Sequence, residues 1–103
     1  MATGILGQSA PAANTDTTVY TVPSTKTATF NINVVNTGSA SAAVTIALAS
    51  SGTPAASEYI EFQTVLAPGQ VLERGGLVIQ ATENVVVNCS TANCSVSVYG
   101  YEV

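Results

Sequence analysis

Thr29-Phe30-Asn31-Ile32-Asn33-Val34-Val35 reads as one β-strand. Phe30, Ile32 and Val34 fall at every second position, with Asn31 and Asn33 between them. That two-residue period places three apolar side chains on one face of an extended chain and two amides on the other. A helix would scatter the same residues around its circumference.

The pattern repeats outward from this strand. Asn36-Thr37-Gly38-Ser39 is a turn cluster, after which Val44, Ile46 and Leu48 resume the alternation. Ser50 to Pro54 is a loop. Tyr59 to Leu66 forms the next strand, with Ile60 and Phe62 opposite Glu61 and Gln63, so that Phe62 shares the core-facing parity of Phe30. Ala67-Pro68-Gly69-Gln70 has turn chemistry, because proline precedes a glycine that tolerates positive φ. Val71 to Arg74 and Leu77 to Gln80 read as short strands broken at Gly75-Gly76, a bend or bulge signal. Thr17 to Val22 precedes Pro23, which ends the strand or marks an edge. Only residues 12–18 and 54–59 have room for a helical turn, and neither carries a 3.6-residue stripe. Seven to eight short strands at near-regular spacing predict an all-β antiparallel sandwich over residues 17–103, either Ig-like or jelly-roll. Residues 1–16, rich in small side chains and without periodicity, are expected to form an extended N-terminal arm anchored by Ile5 and Leu6.

Composition narrows the function. The chain has 103 residues, 47% of them hydrophobic, which suits one domain with one core. Only 8% are charged and none is histidine. Acid–base and metal chemistry near neutral pH draw on His, tuned Lys and clustered carboxylates. Serines are plentiful, but no imidazole is present to activate one. Glu58 and Glu61 are odd-spaced and point to opposite faces of a strand. Neither Gly75-Gly76 nor Pro68-Gly69 sits in a phosphate-loop context. No enzyme, cofactor or metal site is expected. The net charge of −4 argues against nucleic acid, whose binding depends on Lys and Arg. No apolar run is long enough for a bilayer, and the first fourteen residues lack the features of a signal peptide. Surfaces usually carry about a quarter to a third charged residues. A surface so poor in charge loses its water cheaply and suits contact with other proteins.

Two cysteines flank Ser90 to Asn93 near the C-terminus. Treated as a hairpin with Cys89 opposite Cys94, the register pairs Val87 with Val96 and Val85 with Val98, every pair apolar. Opposed residues in such a ladder lie within disulfide range. Reduced core thiols are the rival reading. A metal site is a third, although two Cys without His cannot complete a tetrahedral zinc site. The opposite face carries Tyr99 and Tyr101, which are candidates for a protein interface or for stacking on a sugar.

The segments LGQSAPAANT (6–15), VYTVP (19–23), FNINVVNTGSAS (30–41), SEYIEFQTVLAPGQVLERGGLVI (57–79) and SVSVYGYEV (95–103) resemble small virion proteins of tailed bacteriophages, including cyanophages. The resemblance spans nearly the whole chain from Leu6, and it is one of pattern and phrase. It implies a β-sandwich on the particle, of the capsid decoration, cement or knob type. The expected partners are the major capsid protein and neighbouring copies of the chain, with a homotrimer as the candidate assembly. The expected location is the capsid surface, after synthesis in the host cytoplasm. Ile5, Leu6, Tyr99 and Tyr101 are the candidate contacts. A tail or fibre module that binds host-surface glycans is the alternative.

Overall fold

The computed structural model describes residues 2–103 as eight antiparallel strands: β1 (Thr3–Ser9), β2 (Thr17–Thr21), β3 (Ala28–Asn36), β4 (Ala42–Ala49), β5 (Tyr59–Leu66), β6 (Val71–Ile79), β7 (Asn84–Cys89) and β8 (Cys94–Glu102). No helix occurs among the described residues. One sheet, A, has the order β1-β8-β3-β6, and the other, B, has the order β2-β7-β4-β5. Each sheet alternates strands from the two ends of the chain. This is the double Greek key of a jelly roll, and it decides between the two sandwiches the sequence allowed.

The alternation at the centre of the sequence behaves as expected. Phe30, Ile32 and Val34 of β3 are buried against Val44 and Ile46 of β4, with Val85, Val87, Val96 and Val98 completing the core. A second, smaller cluster of Ala47, Ala49 and Val86 lies on the other side of sheet B, with Tyr59 packed against it.

Three expectations change. Within the segment expected as an extended arm, Thr3–Ser9 forms an edge strand of the sandwich. β1 pairs with β8 from Thr3↔Tyr101 to Ser9↔Val96. Its ladder satisfies the edge of β8, and Leu6 packs against the core. The ladder has a register shift between Ile5 and Gly7.

The expected β7–β8 hairpin is absent. β7 pairs with β2 and β4, whereas β8 pairs with β1 and β3. The residues assigned to its apolar face, Val85, Val87, Cys89, Cys94, Val96 and Val98, are all buried. They meet across the core from opposite sheets, which pack about 10 Å apart, rather than side by side in one ladder. Alternation identifies the face of a strand but not its neighbour.

Phe62 is 63% exposed. Two residues of β5, Phe62 and Gln63, lie between the partners of Val44 and Ile46 where β4 has only Thr45, and Gln63 adopts φ 52°. This bulge inserts an extra residue and reverses the parity expected for Phe62. Gly75-Gly76 makes a bulge too, but within a continuous β6. Gly76 has φ 68°, and its N–H donates to Asn31 Oδ1 at 3.1 Å.

The open edges of the two sheets are tied together. Arg74 of β6 forms an ion pair with Glu61 of β5 and donates to the Ile60 carbonyl at 3.0 Å. Opposite, Gly7 of β1 lies so near β2 that a Cβ there would sit 2.3 Å from the Val19 carbonyl oxygen. The C-terminal end of β8 is tied to β2 by a polar contact inside the fold, where the Tyr20 hydroxyl donates to the buried Glu102 carboxylate at 2.5 Å.

Candidate functional site

The outer face of sheet A brings together three of the four expected contact residues. Ile5 stands opposite Tyr99, and Tyr99 stands opposite Asn31. The next row runs Thr3, Tyr101, Thr29 and Val78 across all four strands. Directly opposed residues share a face, so these seven side chains form one surface without a charge. Ile5, Val78 and Tyr101 are 65%, 61% and 44% exposed. Leu6 is not part of it. As the neighbour of Ile5 on an extended strand it points the other way, into the core.

The outer side of sheet B carries a site that the sequence reading did not find. A cleft of about 320 Å3 is lined by Asn14, Asp16, Thr45, Tyr59, Phe62, Gln63 and Asn88. Thr45 and Asn88 are cross-strand neighbours on β4 and β7. Asp16 lies just before β2, and its Oδ1 accepts from Asn88 Nδ2 at 3.0 Å. Asn14 turns the chain with φ 55°, held by its N–H donating to the Cys89 carbonyl at 2.7 Å. Gln63 N–H donates to Thr45 Oγ1 at 3.0 Å, which fixes the β5 bulge against β4. Tyr59 and Phe62 meet edge to face, with ring centroids 5.2 Å apart. The wall therefore combines an exposed aromatic ring, amide side chains and one carboxylate. Of these residues, Thr45 was legible as the outward position between Val44 and Ile46. The others come from separate parts of the chain and are joined by strand order alone.

Cys89 and Cys94 lie at one end of the core, both buried and both free thiols. They are neighbours on β7 and β8, in opposite sheets. Burial, then the neighbouring Cys94 thiol, push the Cys89 thiol up to about 12. The thiolate is the reactive form, so native protein at pH 8 is expected to resist an aqueous thiol reagent and to label fully only in denaturant. Labelling at the unfolded rate without denaturant would show that this end of the sandwich opens. The same shift has a sign in folding. The unfolded thiol loses its proton above about pH 9 while the folded one keeps it, so stability is retained below pH 9 and declines as pH rises toward 12. Tyr20, raised by burial and then by its Glu102 contact, adds to that alkaline decline. Cys89→Ala is expected to flatten part of the slope in a urea-midpoint series against pH.

Among the described residues, no group of three or more His, Cys, Asp or Glu is placed to hold a metal ion. Glu58 and Glu61, which the odd spacing separated, have different partners. Glu58 accepts from the N–H groups of Ala55 and Ser50, at 2.7 and 3.0 Å, and Glu61 binds Thr64 and Arg74. These hydrogen bonds hold both carboxyls below their usual value.

No known protein-family model, curated protein or solved structure matches the chain.

Proposed function

We propose that the protein is a non-catalytic structural component of a bacteriophage virion, a decoration or cement protein that binds the major capsid protein and stabilises the head. The observation that carries this reading is the uncharged patch at one end of sheet A's outer face, where Ile5 of β1, Tyr99 and Tyr101 of β8 and Val78 of β6 share a face of four hydrogen-bonded strands. A rigid sheet loses little conformational entropy on docking, and tyrosine supplies apolar area together with a hydroxyl that can be satisfied at an interface. Seated between adjacent capsomers, such a face would resist their separation through buried area. The resemblance of the sequence to small virion proteins supports the same reading. Jelly rolls occur in both capsid and lectin domains, so the fold alone does not choose between the head and a glycan-binding tail module.

Deleting the N-terminal segment is not a clean test, because β1 belongs to the sandwich. Ile5→Asp and Tyr101→Asp change exposed side chains instead and are expected to leave the melting temperature within a few degrees. Each is expected to reduce co-sedimentation with undecorated capsids at least about tenfold, because it places a charge in an apolar contact. Unchanged binding by both variants would remove sheet A as the docking face. In purified virions, mass spectrometry should find copy numbers comparable with the major capsid protein. A few copies per particle would move the protein to the tail.

A further inference from the structure

We propose that the cleft on sheet B is a binding site for a neutral saccharide, with Phe62 as the stacking platform and Asp16, Asn88, Asn14 and Gln63 as hydroxyl-binding groups. This does not rest on the decoration reading. The cleft and the docking face lie on opposite sheets, so the two bindings can fail separately.

The lining selects the class of ligand. It contains one carboxylate and no Lys or Arg, which disfavours phosphates, nucleotides and acidic sugars. Its remaining polar groups are three amides and the hydroxyls of Thr45 and Tyr59, which both donate and accept. A sugar hydroxyl also does both, so vicinal hydroxyls can bridge a carboxylate oxygen and a neighbouring amide. Here Asp16 Oδ1 and Asn88 Nδ2 already satisfy each other, and that contact fixes the pair in orientation. The second Asp16 oxygen, the Asn88 oxygen and the side-chain amides of Asn14 and Gln63 remain for a ligand. Phe62, 63% exposed beside them, offers an apolar surface to the C–H face of a pyranose ring. Tyr59 braces that ring edge to face.

The backbone gives a second, independent indication. Only Asn14, Gln63 and Thr82 adopt positive φ among the described non-glycine residues, and two of the three line this cleft. Asn tolerates that region, but Gln gains little from it. Regular pairing through Gln63 would return Phe62 to the core parity. The strained bulge is what turns Phe62 outward beside the polar groups, and local strain of this kind collects at binding sites. The volume is at the small end for ligand pockets, which suits a short glycan terminus bound with a dissociation constant on the order of 1 mM.

The test is an amide-resolved NMR titration of the full chain. The probes are glucose, galactose, mannose, N-acetylglucosamine, maltose, cellobiose and lactose, each to about 50 mM. At least one sugar should produce saturable shifts at Phe62, Gln63, Asn88 and Asp16, with none at Tyr101. Phe62→Ala should weaken binding at least about tenfold without loss of fold, since the ring is exposed. Gln63→Gly keeps the positive φ and removes the amide, so it should weaken binding severalfold. No saturable shift for any sugar would overturn the proposal. So would shifts that persist unaltered in Phe62→Ala, or a saturable response at these residues to a short-peptide library in place of the sugars.

Discussion

Gly100→Ala is expected to cost about 3 kcal/mol or more of folding stability, with a melting temperature lower by roughly ten degrees or more. Gly100 lies in β8 opposite Phe30 of β3 and Gly4 of β1. A Cβ at this position would sit 2.1 Å from the Thr29 carbonyl oxygen and 2.6 Å from the Phe30 Cα. Both atoms are backbone, so no side-chain rotation relieves the overlap. β3 and β8 must move apart at the centre of sheet A, where Phe30 is buried. Interiors near crystal packing density transmit such a shift to their neighbours. Urea unfolding of Gly100→Ala beside Ser95→Ala, a small change at an exposed position of the same strand, isolates the effect. A loss below about 0.5 kcal/mol at both positions would mean that β8 sits further from β3 than described.

Asn36→Ala should be nearly as costly, about 3 kcal/mol, and Asn36→Asp more costly still. Asn36 is fully buried at the end of β3. Its Nδ2 donates to the carbonyls of Ala40 and Leu66, at 2.8 and 3.0 Å, and its Oδ1 accepts from Gly38 N–H at 3.0 Å. One amide therefore shapes the β3–β4 turn and ties it to the end of β5 in the other sheet. Alanine leaves these three backbone groups without their partner, at a cost larger than that of a bond that never formed. Aspartate would aim negative charge at two carbonyl oxygens. Its loss should shrink as pH falls below the carboxyl range, whereas the alanine loss should not follow that pH dependence. If aspartate proved milder than alanine at pH 7, the donor role of Nδ2 would be wrong.

How much was legible differs from element to element. Phe30, Ile32 and Val34 could be assigned to the core because β3 is flanked on both sides and one face is dry, so a two-residue period has one meaning. Tyr99 and Tyr101 were legible for the same reason, since Val96 and Val98 fix the parity of β8. Phe62 was not, because parity counts only in a regular ladder and the Gln63 bulge adds a residue. β1 was not legible either. Its Gly4 and Gly7 carry no strand propensity, and its pairing is supplied by the free edge of β8 nearly a hundred residues away.

By itself, the sequence determined the class and the chemistry of this protein. Local alternation requires strands with one apolar face, and a chain with two Lys and Arg, six Asp and Glu and no His limits what its surface can do. Only the tertiary structure decided which strands are neighbours. The same buried valines beside Cys89 and Cys94 satisfy a hairpin or a crossing between sheets, since apolar burial has no direction. Strand order breaks that tie, and in doing so gathers Asn14, Asp16, Thr45, Phe62 and Asn88 into one cleft. Backbone pairing over long separations depends on the whole chain closing at once, so no single segment could announce it.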